Sequence, residues 1–358
     1  MEQNFTVSTS NFSVPLFTAE LIASFTLKFI LNFAGGFANL FLLIVCCCSH
    51  TKKTFSSSGT KWLVFQYTAA YFLISMILYP ARDAMIMGHT FHLIVPGMQH
   101  CSYFAAVNMF FVSLANWTDL ALACNRLMAI CFPIHYVKWT TRKVIAALLI
   151  AAWVVSFAIV LPVPPLYLGW PGNLSLPPPA QCSNLNGSAS LFVTSMTNFV
   201  PYAVSGVIYA AIWFKIVFEA RHRRVTIPMG HGLLDVKQMR AKMRQLTVSK
   251  MLMAVFVWNS LCMLPFFVVT LAFPELFVRK PTLSLWLRLI MSVQYLFSPV
   301  IFFVFSEEYR KTARRLFSRV PDNKIKEVEK TMEKSETDSH ISLALSMLRR
   351  REDLQLMD

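Results

Sequence analysis

The side chains best suited to chemistry stand inside a long apolar stretch of the chain. Asp119 and Arg126 are seven residues apart, which places them two turns apart on one face of a helix. Because a buried charge is costly unless it is paired or reaches water, a functional role is open for each of these two side chains. Two alternatives stay open, a structural arginine that snorkels to water and a neutral, hydrogen-bonded aspartate. The same stretch carries three amide side chains, Asn108, Asn116 and Asn125.

A second charged group stands near the ends of two other apolar stretches. Arg288 lies eleven residues before Pro299, while Arg82 and Asp83 are neighbours further back in the chain. One hypothesis is that Arg288 binds a carboxylate or phosphate of a ligand. The other, which we favour, is an Arg288–Asp83 salt bridge that only ties two parts of the protein together.

No arrangement of residues suggests catalysis or a metal site. The apolar stretches contain no His/Asp/Glu cluster and no Ser–His pair at matching depths, and the eight cysteines form no CxxC motif or zinc spacing. His89, His92 and His100 are close in sequence, and a metal or pH-sensing role there is the alternative to ordinary solvated histidines. We therefore predict that the protein is not an enzyme and that it holds no metal and no cofactor.

The composition indicates a membrane protein. Of the 358 residues, 56% are hydrophobic, only 14% are charged, and 31 are phenylalanine. A water-soluble domain averages about 25% charged residues, so a soluble enzyme, a disordered protein and a nucleic-acid binder all fit poorly. The net charge of +15 accompanies long uncharged runs, so we interpret it as charge that orients the chain in a membrane.

Seven apolar stretches are long enough to cross a bilayer, which needs roughly 20 residues of helix. They are residues 21–48, 62–88, 98–131, 144–168, 190–219, 247–273 and 283–305, numbered here as spans 1 to 7. Backbone groups in lipid must bond within their own segment, so each span is predicted to be helical. The predicted fold is an all-α membrane protein with a seven-transmembrane helix bundle over residues 21–305. Residues 1–20 lack a basic start, so no cleavable signal peptide is predicted.

Lysine and arginine indicate the orientation of this bundle. With the N-terminus outside, 27 of the 33 basic residues fall inside, twelve in the tail from Arg310, nine in residues 215–250 and three in each of the other two inner connections, while four fall outside. Four glycosylation sequons lie on the predicted outer side, at Asn4, Asn11, Asn173 and Asn186. We expect a multi-pass protein of the plasma membrane, with an extracellular, glycosylated N-terminus (residues 1–20) and a cytoplasmic C-terminus.

Two segments follow the last span. Residues 306–318 are predicted to form a short amphipathic eighth helix, whose basic face suits the lipid of the inner leaflet. Residues 319–358 form a charged cytoplasmic tail, for which disorder and a partner-dependent helix stay open. Its hydroxyls are acceptors for phosphorylation or else a plain polar surface. They belong to Ser335, Thr337, Ser339 and Ser342.

Motifs at fixed spacings give the chain a family resemblance. Cys101 precedes Arg126 by 25 residues, and Arg126 stands in an Asn-Arg-Leu triplet. Further matches in chain order are Gly36, Asn39, Pro133, Tyr136, Trp153, Pro162, Pro201, Tyr209, Cys262, Pro265, Ser298, Pro299, Phe302, Tyr309 and Arg310. Together they make residues 22–318 similar to a rhodopsin-like (class A) G-protein-coupled receptor. Within that family, Asn125-Arg126, Tyr79-Pro80 and His100-Cys101 resemble the melatonin-receptor branch.

The chain departs from the family pattern at positions that regulate signalling. Tyr71 stands where the family has its sodium-binding aspartate, and Phe302 replaces a hydrogen-bonding tyrosine. The other substitutions are Ala115 for serine, Met263 for tryptophan, Asn259 for an aromatic residue and Gln245 for an acid. The resemblance then implies an absent sodium pocket and a weakened inactive-state lock. One hypothesis makes Asp119 the substitute for the missing acid, with Asn39, Asn259 and Ser298 as its expected partners.

The resemblance also implies a switch at the inner end and a tether at the outer end. The switch residues are Arg126, Asn125, Tyr209, Pro265, Pro299 and Phe302. A disulfide between Cys101 and Cys182 would tether the 169–189 loop to span 3, and both cysteines lie on the predicted oxidising side. Two free thiols are the alternative.

A ligand pocket is implied in the outer half of the bundle. Its candidate residues are Asn108, Met263, Arg288 and Ser292. Asn108 stands where amine receptors have an aspartate, so it supplies no charge for a ligand ammonium. Ser292 stands at the place of the opsin retinal lysine, so no Schiff base can form there. We therefore expect a receptor that is neither aminergic nor an opsin.

The sequence thus predicts a receptor that transduces an extracellular ligand signal to heterotrimeric G proteins. Arrestin is a further expected partner of the tail, membrane lipid surrounds the bundle, and no nucleic acid is expected. The alternatives are a constitutively active or non-signalling protein with the receptor fold, which the lost sodium site favours, and a membrane transporter. A transporter would show internal repeats or a row of intramembrane charges, and this sequence has neither.

Overall fold

The structure is a computed structural model that describes residues 14–50, 59–90, 101–132, 136, 141–160, 192–223, 233–273, 276 and 280–317. Nearly all of these residues are helical, and none of them is in a strand. Seven of the helices are long and apolar enough to cross a membrane. The predicted fold, an all-α membrane protein built as a seven-transmembrane bundle, is therefore confirmed.

Each predicted span corresponds to a described helix or helix pair. Span 1 is the helix Val14–His50, and span 2 joins Gly59–Leu73 to Tyr79–Thr90. Spans 3 and 4 are Cys101–Cys131 and Arg142–Val160. Span 5 ends with Val200–Arg223, span 6 is Leu233–Ala272, and span 7 is Pro281–Phe305. A separate short helix, Glu307–Phe317, follows span 7.

The helices extend farthest beyond the predicted apolar stretches at the starts of spans 1 and 6. Span 1 begins at Val14 rather than at residue 21, and span 6 begins at Leu233 rather than at residue 247. Residues 233–246 include leucine, lysine, glutamine, methionine, arginine and alanine, which are all good helix formers. The helix therefore continues past the apolar stretch, because helix propensity does not depend on whether the segment lies in lipid. The predicted end of span 4, at residue 168, lies outside the described residues.

Two π-helical turns interrupt the regular spans. Ile74–Leu78 stands in the middle of span 2, and Ser195–Phe199 stands near the start of span 5. Such turns free backbone carbonyls from the usual helical pattern. The Thr197 carbonyl accepts a 2.9 Å hydrogen bond from Asn116 Nδ2 of span 3. Asn116 also donates to Asn198 Oδ1 at 3.1 Å, so the turn provides a polar contact between spans 3 and 5.

Spans 1 and 7 pack backbone to backbone. A Cβ atom added at Gly35 would lie only 3.0 Å from the carbonyl carbon of Tyr295. Asn39 sits one turn further along and donates 2.8 Å hydrogen bonds to the carbonyls of Gly35 and Tyr295. Glycine permits the close approach, and the buried amide then replaces water for a carbonyl on each helix.

Spans 2, 3 and 4 are joined by a polar contact centred on Gln66. Gln66 Nε2 donates to the Thr118 hydroxyl at 2.8 Å, and Trp153 Nε1 donates to Gln66 Oε1 at 3.1 Å. Phe214 and Val207 are 72% and 71% exposed on span 5. Exposed apolar side chains of this kind suit contact with lipid tails. The interhelical hydrogen bonds, in contrast, lie inside the bundle and help to hold the helices together.

The chain divides into two compact units, Met1–Arg310 and Lys311–Asp358. All contacts considered below lie in the first unit. At its end, Glu308 forms an ion pair with Lys61 of span 2, and the buried Tyr309 ring lies 6.3 Å from the ring of Phe302. Of the second unit the structure describes residues 311–317, which are helical and carry the exposed Arg314 and the half-buried Arg315.

Candidate functional site

Arg126 lies at the predicted inner end of the bundle and contacts span 2. Its side chain is only 2% exposed. Its guanidinium donates a hydrogen bond to the hydroxyl of Thr60, and Asn125 Nδ2 donates to the same oxygen at 2.9 Å. One buried hydroxyl of span 2 therefore accepts from both neighbouring residues of span 3. A hydrogen bond to a charged donor is stronger than one between neutral groups, so Thr60 helps to fix Arg126 in this position.

The other predicted switch residues surround this end of the bundle. Tyr209 of span 5 is buried, and its ring lies 4.9 Å from that of Phe256 in span 6. Phe302 of span 7 is 1% exposed, and its ring lies 6.4 Å from that of Tyr67 in span 2. Pro265 and Pro299 stand inside the helices of spans 6 and 7. Proline removes a backbone hydrogen bond from a helix interior, so both spans have a built-in point of bending.

A hydrogen-bonded cluster occupies the middle of the bundle. Asn259 Nδ2 of span 6 donates to the hydroxyls of Tyr67 and Tyr71 at 2.7 Å and 3.1 Å. Its Oδ1 accepts a 3.0 Å hydrogen bond from Ser298 of span 7. The rings of Tyr67 and Tyr71 lie 4.3 Å apart, and Tyr71 meets Tyr295 edge to face at 4.8 Å. Tyrosine rings and one amide thus fill the place that the family pattern gives to an acid and a sodium ion.

Asp119 does not join this cluster. Asn39, Asn259 and Ser298, its expected partners, direct their hydrogen bonds to other groups. The carboxyl of Asp119 is buried and lies beside Tyr209 of span 5. The hypothesis that Asp119 replaces the missing acid at Tyr71 through those three partners is therefore wrong. Span 3 instead places this residue beside Tyr209 of span 5.

A cavity of about 300 Å³ opens in the predicted outer half of the bundle. Asn108, Met263 and Arg288, three of the four predicted pocket residues, line it. Ser292 is fully buried and donates a 3.2 Å hydrogen bond to the Arg288 carbonyl, and it is not among the lining residues. The remaining wall is formed by spans 1, 2, 3, 5, 6 and 7, so six helices meet around this space.

Charged side chains meet at one side of the cavity. The Lys28 ammonium of span 1 lies 2.8 Å from both carboxylate oxygens of Asp83 in span 2. Arg82 approaches the same carboxylate at 3.7 Å and stacks on the Tyr79 ring, with 4.7 Å from its guanidinium carbon to the ring centroid. The expected Arg288–Asp83 salt bridge is not formed. Lys28 takes the position of the counter-ion of Asp83, and Arg288 shares a small cavity with both residues without forming an ion pair.

Two residues that the sequence pattern did not single out, Lys28 and Thr60, lie in these sites. Lys28 could have been found from the sequence, because a lysine inside an apolar span usually marks a paired or functional position. Thr60 could not have been found in this way, because a threonine near a helix end is common on any protein surface. Tyr79, between Lys28 and Arg82, also gains its role only from the packing.

Several predicted features lie outside the described residues or rest on side chains that the structure does not describe. They are the disulfide of Cys101 and Cys182, the glycosylation sites Asn4, Asn11, Asn173 and Asn186, the histidines His89, His92 and His100, Gln245, and the tail hydroxyls. Within the described part of the chain, no group of three or more His, Cys, Asp or Glu side chains is placed to hold a metal ion.

Known proteins resemble this chain over most of its length. The family model described as the 7 transmembrane receptor (rhodopsin family) matches residues 38–302. Trace amine-associated receptor 4 of mouse is 22% identical over 287 residues, which cover 77% of this chain and 80% of the mouse protein. The 5-hydroxytryptamine receptor 5B of rat is 24% identical, with 62% and 66% covered. A melanopsin-like protein of zebrafish is 22% identical, with 80% and 56% covered.

Proposed function

Because this chain belongs to the rhodopsin-like (class A) G-protein-coupled receptors, we propose that it passes the signal of an extracellular ligand to heterotrimeric G proteins. The observation that carries the proposal is the separation of two sites in one bundle. A lined cavity stands at one end, around Asn108 and Arg288, and a buried arginine, Arg126, stands at the other. Such a pair of sites is what coupling between a ligand and a partner requires.

The rearrangement that joins the two sites centres on span 6. A ligand stabilises the arrangement that it binds best and so shifts an equilibrium that already exists. In the proposed active arrangement span 6 swings outward near Pro265, the inner cleft opens, and Arg126 contacts the G protein. Met263 stands in the cavity wall two residues before Pro265, so a bound ligand touches the helix that must move.

The cavity does not suit an amine or retinal. Two of the similar proteins are named for trace amines and 5-hydroxytryptamine, but this cavity presents Asn108 and three cations in place of a free acid. Ser292 offers no amine for a Schiff base and is buried away from the cavity. We therefore propose a ligand outside the aminergic and opsin classes, although similar proteins include a melanopsin-like protein as well. The resemblance to the melatonin-receptor branch stays a prediction.

The distribution of charge supports a membrane orientation and further partners for the receptor. The basic connections and the helix Glu307–Phe317 face the cytoplasm in this proposal, at the plasma membrane, with the N-terminus outside. Phosphorylation of the tail from residue 319 would add negative charge and recruit arrestin. Lipid of the inner leaflet contacts the basic face of the short helix.

A second candidate is a receptor fold that signals without a ligand or does not signal. The cluster of Asn259, Tyr67 and Tyr71 favours it, because it occupies the place of the sodium site that restrains other members of the family. Its hydrogen bonds still join span 6 to spans 2 and 7, however, so the closed arrangement keeps a restraint of its own. We therefore prefer the ligand-regulated receptor.

Activation of a panel of G proteins in cells tests the proposal. Wild type is compared with Arg126→Ala at matched surface expression, without added ligand. We expect a basal signal in one G-protein class that Arg126→Ala changes. Equal signals from the two proteins in every class, above the background of untransfected cells, would contradict a role for Arg126 in coupling. Lys143→Gln, an exposed substitution in span 4, is the matched control.

A further inference from the structure

The outer cavity carries more positive charge than the described residues neutralise. Lys28, Arg82 and Arg288 all line it. In the described part of the chain, Asp83 is the only carboxylate paired with any of them. Three cations therefore face one anion in the low-dielectric interior of a helix bundle. Buried charge of one sign is unfavourable unless a counter-charge or water reaches it.

The excess charge is concentrated on Arg288. Lys28 occupies both oxygens of Asp83 at 2.8 Å, and Arg82 reaches the same carboxylate while stacking on Tyr79. Arg288 has no ion pair among the described residues. Its guanidinium carbon lies 6.0 Å from the centroid of the Phe266 ring, and Arg288 shares a small cavity with Lys28 and Asp83. Its donors therefore remain available to a molecule in the cavity.

Two unpaired buried polar atoms belong to residues that line the same space. Asn108 and Thr197 line the cavity and are 6% and 1% exposed. Asn108 Oδ1 and Thr197 Oγ1 have no hydrogen-bond partner in the described structure. Leaving a buried polar group unpaired costs about 1–3 kcal/mol, so these atoms indicate a ligand with polar groups of its own.

The rest of the wall is apolar and limits the size of the ligand. Five of the lining residues are large and apolar, namely Met109, Met263, Phe266, Phe267 and Met291. A volume of about 300 Å³ stands at the small end of ligand pockets, which span about 300–1,000 Å³. A compact aromatic or aliphatic body fits such a wall, with one charged group turned toward spans 1, 2 and 7.

We propose that this cavity binds a small organic anion, in which a carboxylate or a phosphate ester on an apolar body pairs with Arg288. The inference rests on the proposed function only in taking this cavity as the ligand site of the receptor. Arginine suits the role because its planar fork can donate two hydrogen bonds to a carboxylate or phosphate. Asn108 and Thr197 hold a second polar group of the same ligand.

Binding of three matched probes tests the charge. The receptor is purified, reconstituted in nanodiscs of phosphatidylcholine, and titrated with indole-3-acetate, indole-3-acetamide and tryptamine, which differ chiefly in charge. The midpoint of thermal unfolding reports binding without any G protein. We expect indole-3-acetate to raise the midpoint at concentrations at least about tenfold lower than the neutral amide, as one charged hydrogen bond allows, and tryptamine to have no effect. Preference for tryptamine, or binding of no anion at millimolar concentration, would overturn the proposal.

A second experiment distinguishes carboxylate ligands from phosphate-ester ligands. 1-Naphthyl phosphate is compared with 1-naphthol in the same nanodiscs. Stronger stabilisation by 1-naphthyl phosphate than by indole-3-acetate assigns the site to phosphate esters, and the reverse order assigns it to carboxylates. Either order supports an anion site. Equal stabilisation by naphthol and its phosphate counts against one.

Arg288→Met supplies a readout that needs no ligand. In the proposed site Arg288 adds unneutralised charge to the empty receptor, so its removal should raise the unfolding midpoint and abolish the effect of indole-3-acetate. Lys143→Gln should change neither. A lower midpoint for Arg288→Met at matched expression would make this residue structural and contradict the inference. Anion binding without G-protein activation would contradict the proposed function alone, and Arg126-dependent signalling without anion binding would contradict this inference alone.

Discussion

The amide of Asn259 donates a 2.7 Å hydrogen bond to the hydroxyl of Tyr67, and this contact joins span 6 to span 2 in the middle of the bundle. The same amide group also bonds Tyr71 and accepts from Ser298. Outward movement of the inner half of span 6 must therefore stretch or break hydrogen bonds to two other spans. Asn259 thus favours the closed arrangement in a chain that lacks the acid of the family's sodium site.

Replacement of Asn259 by leucine should raise ligand-independent signalling. Each hydrogen bond contributes about 1 kcal/mol net, so the loss of three favours the open arrangement by up to about 3 kcal/mol, or roughly a hundredfold. The measurement is basal G-protein activation at equal surface expression. Leu261→Ala, an exposed neighbour on the same helix, is the control and should leave basal signalling unchanged. A lower basal signal for Asn259→Leu would show that the cluster supports the open arrangement instead.

Thr60→Val should destabilise the inner end of the bundle. The substitution keeps the shape of the side chain but removes the oxygen that accepts from Asn125 and Arg126. Losing the partner of a buried charged donor costs about 1–3 kcal/mol or more. Thermal unfolding in nanodiscs should show a lower midpoint for Thr60→Val and a nearly native midpoint for Thr60→Ser, which keeps the hydroxyl. Equal midpoints for valine and serine would mean that Arg126 is held by other groups.

Lys28→Met and Asp83→Leu should each destabilise the protein more than the two changes together. Asp83→Leu leaves Lys28 buried without its partner, and Lys28→Met leaves Asp83 with only the more distant Arg82. Breaking a buried pair in this way costs up to about 3–5 kcal/mol. The double variant removes both charges and should recover much of the loss. A double-mutant cycle of unfolding free energies measures the coupling between the two side chains. Additive effects would contradict the ion pair between span 1 and span 2.

Gly35→Ala should be far more damaging than Gly206→Ala. The added methyl group at Gly35 would press against the Tyr295 backbone at 3.0 Å, whereas at Gly206 it would meet the Phe256 ring at an ordinary 3.4 Å. Alanine otherwise favours a helix by about 1 kcal/mol over glycine, so Gly206→Ala should be neutral or stabilising. Surface expression and the unfolding midpoint should both fall for Gly35→Ala. If both variants behave alike, spans 1 and 7 are not in backbone contact.

The seven spans could be predicted from the sequence because each is long, apolar and forced into helix by lipid. Asn39 and Arg126 could also be assigned to the bundle interior, since polar groups avoid lipid. Partners across the bundle could not be predicted in the same way. The expected Arg288–Asp83 bridge failed because pairing depends on the rotation of each helix about its own axis. That rotation turns Asp83 toward Lys28 of span 1.

Irregular helix geometry could not be predicted from the sequence either. The π-helical turn at Ser195–Phe199 exposes the Thr197 carbonyl to Asn116, yet hydrophobic periodicity contains no signal for a single wide turn. Residues 233–246 continue the helix of span 6, although hydropathy predicts only the apolar part of that helix. Both features follow from local hydrogen bonding and helix propensity rather than from hydropathy.

Nucleotide exchange on purified G proteins tests coupling through Arg126 most directly. The receptor in nanodiscs is mixed in turn with representatives of each G-protein class, and release of bound GDP is followed with and without indole-3-acetate. We predict that the wild-type receptor accelerates release from at least one class, that the anion changes the rate, and that Arg126→Ala abolishes the acceleration while the receptor still unfolds at a native-like temperature. A folded wild-type receptor that accelerates release from no class, with or without the anion, would contradict a G-protein-coupled function.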